Sequence, residues 1–196
     1  LFQLFQRRPF FGVPFSCKDS FSVEGQIVTC GSYYRRNHRC ENTALAVQRV
    51  REAGGILIAI TNVPEWCCWI ESDNCVYGRS NNPYDTRRIV GGSSGGEGAL
   101  ISSAGTPIGV GSDIGGSIRI PSFCNGIFGM MPTPGQRCRA NFHAPITDCQ
   151  RTRFWASGIV PLDNYIPVPV GYKKQVLRVG PMCRYVEDMP LLLKVC

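Results

Sequence analysis

Histidine is almost missing: His38 and His143 are the two in 196 residues. A zinc site built on histidine and a catalytic triad with a histidine base are both poorly served. Eleven cysteines are present, an odd number, and no two have the Cys-x-x-Cys spacing of a metal or redox motif. Cys67 and Cys68 are adjacent, which does not suit a simple disulfide framework. Reduced cysteines acting as small apolar residues, and hence an intracellular location, are expected. No apolar run approaches the ~18 residues that span a bilayer, so membrane association, if any, belongs to sequence outside this chain. No Gly-x-x-x-x-Gly-Lys-Ser/Thr occurs, and Gly109-Val110-Gly111-Ser112-Asp113-Ile114 lacks the last glycine of the dinucleotide fingerprint. The phosphate-cradle reading therefore fails on detail, and nucleotide binding is not expected. There is no internal repeat.

Hydrophobic residues at 43% and charged residues at 18% describe a globular chain with a core. The net charge is +7, carried partly by Arg pairs such as Arg35-Arg36 and Arg87-Arg88. With no nucleic-acid motif beside them, they read as solvated surface rather than a nucleic-acid site. Glycine (22) and proline (14) are clustered, which excludes a long helical bundle and favours tight loops on a sheet. Residues 10–21 read as a buried strand-like stretch carrying Lys18. Thr43 to Ala53 has apolar residues at helical spacing, stopped by Gly54-Gly55. Ile56 to Ile60 reads as a fully buried strand, an α-to-β step typical of α/β folds. Residues 71–89 read as turns. A small-residue helix is expected over 97–104, a strand over 108–111 and a helix from Glu187. The arginine-rich stretch 136–157 lacks periodicity and reads as a loop or insertion. The chain opens on Leu1 and closes inside the apolar run Leu191–Cys196, so it reads as a fragment of one domain.

Two glycine-serine loops carry the chemistry. Ile114-Gly115-Gly116-Ser117 can turn several backbone N–H groups toward one point, as an oxyanion hole requires, with Ser117 as nucleophile. With histidine scarce, the candidate base is Lys18. It lies among Phe10, Phe11, Val13, Pro14, Phe15, Cys17 and Phe21, surroundings that favour the uncharged amine a base requires. A competing serine exists, since Gly92-Ser93-Ser94-Gly95-Gly96 satisfies the Gly-x-Ser-x-Gly nucleophile elbow. That alternative makes Ser94 the nucleophile of an esterase and needs His143 downstream.

The segments 91–98 (GGSSGGEG) and 111–121 (GSDIGGSIRIP), with Lys18 in 12–19 (GVPFSCKD), resemble the amidase-signature family. Segments 77–85 (YGRSNNPYD) and 180–185 (GPMCRY) are similar to its fatty-acid amide hydrolase 2-like branch. The resemblance covers residues 9–135 and 158–196 and implies a three-layer α/β/α fold around a mixed sheet, incomplete here because members are longer. It implies that Ser117 is acylated, that Ser93 in a cis peptide bridges, and that Lys18 is the base. It further implies that Ile114, Gly115, Gly116 and Ser117 donate N–H groups to the oxyanion, with Ser94, Asp113 and Arg119 in support. A small amide substrate, lipid-like in that branch, is implied, with no metal or organic cofactor. An inactive remnant that keeps the scaffold as a binding module is the other reading.

Overall fold

A computed structural model describes residues 8–133 and 160–196; the 136–157 stretch and His143 fall outside them. A five-stranded mixed sheet has the order β2-β1-β5-β7-β6. Its strands are β1 Pro14–Lys18, β2 Ile56–Thr61, β5 Ile108–Asp113, β6 Phe128–Gly129 and β7 Arg178–Cys183. β1 pairs in parallel with β2 and with β5, whereas β7 runs antiparallel to β5 and β6. A separate hairpin, β3 Asp73–Asn74 with β4 Gly78–Arg79, interrupts the turn-rich stretch.

Alternation along the strands sorts side chains to two faces. Phe15 and Cys17 of β1, Ile108 and Val110 of β5, and Val179 and Cys183 of β7 point to one core. That core is closed by helix α1 Leu45–Glu52, through Ala46, Val47 and Val50. Helix α5 Met189–Val195 closes it from the other end, through Met189, Leu192 and Val195. The opposite face is covered by α2 Gly95–Ser102 and α3 Arg119–Asn125. A smaller cluster of Ile101, Ile118, Ile127 and Met182 lies there. Helices on both faces of a mixed sheet make the three-layer α/β/α arrangement. A short helix, α4 Lys173–Val176, leads into β7.

The layer on the second face is thin because glycine permits it. A Cβ on Gly109 of β5 would sit 1.9 Å from Glu97 Oε2 of α2, and one on Gly96 would sit 2.3 Å from the Asn62 backbone nitrogen. The small-residue helix therefore lies almost on the strands.

β2 departs from the fully buried strand expected of Ile56 to Ile60. It is the edge strand, and Ile56 and Ile58 are 54% and 53% exposed. The register explains Ile58. Phe15 pairs with Leu57 and Ser16 with Ala59, so Ile58 is the extra residue of a bulge. The bulge keeps Leu57 and Ile60 packed on the core and leaves Ile58 outside. Among the described residues no helix is long and apolar enough to cross a membrane.

Candidate active site

Parallel strands gather their carboxyl ends at one edge, and β1 and β5 end there in Lys18 and Asp113. Lys18 is 0% exposed. Its Nζ donates to Ser93 Oγ at 2.6 Å and to Ser112 Oγ at 2.9 Å, and reaches Ser112 O at 3.5 Å. Ser112 Oγ also shares a hydrogen bond with Tyr165 OH at 2.7 Å. Burial drives the Tyr165 phenol well above its ordinary value. Among the described residues no carboxylate pairs with Lys18, so its partners are neutral oxygens.

Ser93 follows a cis Gly92–Ser93 peptide bond. Its loop is held by Ser72, whose Oγ accepts the Gly95 N–H at 2.9 Å and donates to Gly91 O at 3.1 Å. Glycine is required at 92, because a Cβ there would lie 2.8 Å from the Trp69 carbonyl oxygen.

The second loop wraps a carboxylate. Asp113 accepts the N–H groups of Gly116 at 2.7 Å, Ile118 at 3.0 Å and Arg119 at 3.3 Å. The Arg119 guanidinium adds two more bonds, Nε at 3.0 Å and Nη2 at 2.9 Å. Burial works to raise the Asp113 carboxyl, but the Arg119 guanidinium and the three backbone donors outweigh it and hold the group below its ordinary value. Asp113 and Arg119 thus hold residues 114–119 in a fixed curve. Ser117 lies half-buried on that curve, and its carbonyl accepts the Ser94 N–H at 3.1 Å, which ties the two loops together.

Two details of the geometry bear on the sequence expectations. The Gly116 N–H is spent on Asp113 Oδ1, so it does not join an oxyanion hole in this arrangement. The N–H groups of Ile114, Gly115 and Ser117 have no protein acceptor among the described residues. The structure joins Lys18 to Ser93 but draws no bond between the Ser93 and Ser117 hydroxyls. Ser94 does not have the exposed hydroxyl of a nucleophile elbow. It is fully buried, and its Oγ donates to Ser112 O at 3.4 Å. His38 lies exposed on a surface loop.

Sequence reasoning missed Ser112, Tyr165, Ser72 and Glu97. Glu97 lies in α2 beneath the sheet, where it accepts Ser16 Oγ at 2.6 Å and Thr61 Oγ1 at 2.8 Å. Burial, only partly offset by those two hydroxyls, pushes its carboxyl up to about 7. The signal was the conspicuous acid inside a glycine-serine run. Among the described residues no group of three or more His, Cys, Asp and Glu side chains could hold a metal ion. A cavity of about 600 Å³ lies beside β2, bordered by Asp19, Arg51, Leu57, Ile60 and Tyr77; neither Ser93 nor Ser117 lines it.

A family model described as Amidase matches residues 3–196. Human fatty-acid amide hydrolase 2 is 45% identical over 187 residues, 95% of this chain and 31% of that protein. A solved 6-aminohexanoate cyclic dimer hydrolase with bound substrate superposes with a TM-score of 0.73 at 31% identity, covering all of this chain and 37% of that one. A solved fatty acid amide hydrolase gives a TM-score of 0.72 at 28% identity, covering 95% and 29%. The chain therefore spans about a third of the length of these relatives. With the family model matched almost end to end over a mixed sheet whose carboxyl edge carries both glycine-serine loops, the chain belongs to the amidase family.

Proposed function

We propose that this chain carries the nucleophile, relay and base of an enzyme that hydrolyses carboxylic amides through an acyl-enzyme. The observation that carries the reading is the buried 2.6 Å contact of Lys18 Nζ with Ser93 Oγ, in a setting where its partners among the described residues are neutral oxygens. With its amine uncharged, Lys18 accepts the Ser93 proton across that contact while Ser93 takes the proton of Ser117. Ser117 Oγ attacks the amide carbonyl carbon, and the carbon–oxygen double bond opens to an oxyanion. The unspent N–H groups of Ile114, Gly115 and Ser117 are the donors for that charge. The proton returns through Ser93 to the amide nitrogen, the C–N bond breaks, and the amine leaves. Water then attacks the acyl ester on Ser117 by the same relay.

The Asp113–Arg119 wrap supports this reading because it fixes the loop before substrate arrives, so the donors need no reorganisation during reaction. A fatty-acid amide is the substrate class proposed, on the likeness to fatty-acid amide hydrolase 2. No metal or cofactor takes part in the proposed steps. The test is Ser117→Ala in the purified protein, assayed for amine release from a fatty-acid amide. Turnover is expected to vanish with the unfolding midpoint unchanged; retained turnover refutes the assignment. The inactive-remnant reading predicts no turnover from either protein.

A further inference from the structure

Cys30 and Cys67 are 37 residues apart in the chain, yet their sulfurs lie 3.6 Å from each other. Two tight loops bring them together. Cys30, Trp66 and Cys67 all have left-handed backbones, with φ of 51°, 53° and 59°. The Trp66 N–H donates to Cys30 O at 2.8 Å, and a Cβ on Gly31 would sit 2.9 Å from the Glu65 nitrogen, so the loops pack backbone on backbone. Cys30 is buried, with its thiol also donating to Ile166 O at 3.4 Å, whereas Cys67 is half-buried. The hydroxyls of Tyr165 and Ser93, both members of the Lys18 network, lie near enough to the Cys67 sulfur to influence its titration.

The two thiols are not equivalent. The Cys30 hydrogen bond, the charge of Lys18 when protonated, and the Tyr165 and Ser93 hydroxyls together outweigh burial and pull the Cys67 thiol below its ordinary value. Cys30 is driven up, by its bond to Cys67 and by burial. Cys67 has the character of an attacking thiolate and Cys30 that of a resolving thiol.

We propose that Cys30 and Cys67 form an oxidation site against the Lys18–Ser93 pair, where a peroxide converts the two thiols to a disulfide. The Cys67 thiolate attacks one peroxide oxygen and the O–O bond breaks. Cys67 becomes a sulfenic acid, and the departing hydroxide takes up a proton to leave as water. The Cys30 sulfur then attacks the sulfenic sulfur. The S–O bond breaks, and the oxygen leaves as a second water with the Cys30 proton. One hydrogen peroxide and two thiols give one disulfide and two waters. The sulfurs must close from 3.6 Å to the ~2.05 Å of a disulfide. That closure rearranges sulfurs that neighbour the Lys18 network, so oxidation alters the surroundings of the proposed relay serine. Cys68 and Cys75, exposed nearby in sequence, have no sulfur neighbour of this kind among the described residues.

The site is tested by its own chemistry, whatever the enzyme activity. The reduced protein is treated with one equivalent of hydrogen peroxide, its remaining thiols are alkylated with iodoacetamide, and non-reduced peptides are mapped by mass spectrometry. A Cys30–Cys67 crosslinked peptide is expected, lost on dithiothreitol treatment, with Cys68 and Cys75 alkylated. Cys67 alkylated as fully as Cys75 overturns the proposal, as does a disulfide that omits Cys30. In Cys30→Ser the reaction is expected to stop at sulfenic acid on Cys67, captured by dimedone. A folded Cys30→Ser protein with no dimedone adduct on Cys67 also overturns it.

Discussion

Lys18 and Glu97 are buried ionisable groups on the same side of the sheet, and each is satisfied by hydroxyls rather than by an opposite charge. For Glu97 this has a measurable cost. Its carboxyl is raised from 4.5 to about 7 by burial, so the folded protein binds its proton more tightly than the unfolded chain does. The stabilising contribution is then complete below pH ~4.5 and is lost as pH rises through about 7, a span of about 3 kcal/mol. Glu97→Gln keeps the shape and removes the titration. Urea unfolding of the two proteins at pH 5 and pH 8 is expected to show the native chain losing stability relative to the variant as pH rises. Parallel pH profiles contradict this account of Glu97. Lys18 and Ser117 could be singled out as candidates because their types are chemically conspicuous where they stand. Ser112 and Tyr165 were not, because their role is a meeting 53 residues apart in sequence that only the sheet creates. The Gly116–Asp113 bond was hidden for a related reason, since the direction of that N–H is set by the Asp113 side chain.

At the scale of elements, the decisive contact is α2 laid on β5, where Gly109 leaves room for the Glu97 side chain. Gly109→Ala places a Cβ 1.9 Å from Glu97 Oε2 and 3.0 Å from Ser16 Oγ. Either Glu97 abandons Ser16 or the helix lifts, and the expected loss is about 2–3 kcal/mol. A urea midpoint unchanged from the parent rules out this packing. The helices α1 and α2 and the strands β1 and β5 were legible within a few residues, because periodicity and glycine stops agree there. β7 was not. Its sequence RVGPMC holds Gly180 and Pro181, which read as breakers, yet Pro181 pairs with Val110 across the sheet. β2 was found but misjudged, because an apolar run does not reveal whether a strand lies at an edge or carries a bulge.

At the scale of the whole molecule, a chain covering 31% of human fatty-acid amide hydrolase 2 presents an edge strand with two half-exposed isoleucines. An uncovered apolar edge invites pairing with another chain. The 196-residue chain is expected to self-associate at micromolar concentration. Ile58→Lys charges the bulged position outside the core and is expected to lower that association, as read by light scattering. Equal association of the two proteins places the sticky surface elsewhere. The central claim is that Lys18, Ser93 and Ser117 assemble one reactive hydroxyl, and labelling tests it most directly. The folded chain is treated with a fluorophosphonate probe, and the modified peptide is mapped. The account predicts the label on Ser117; label on Ser94, or none on protein shown to be folded, contradicts it.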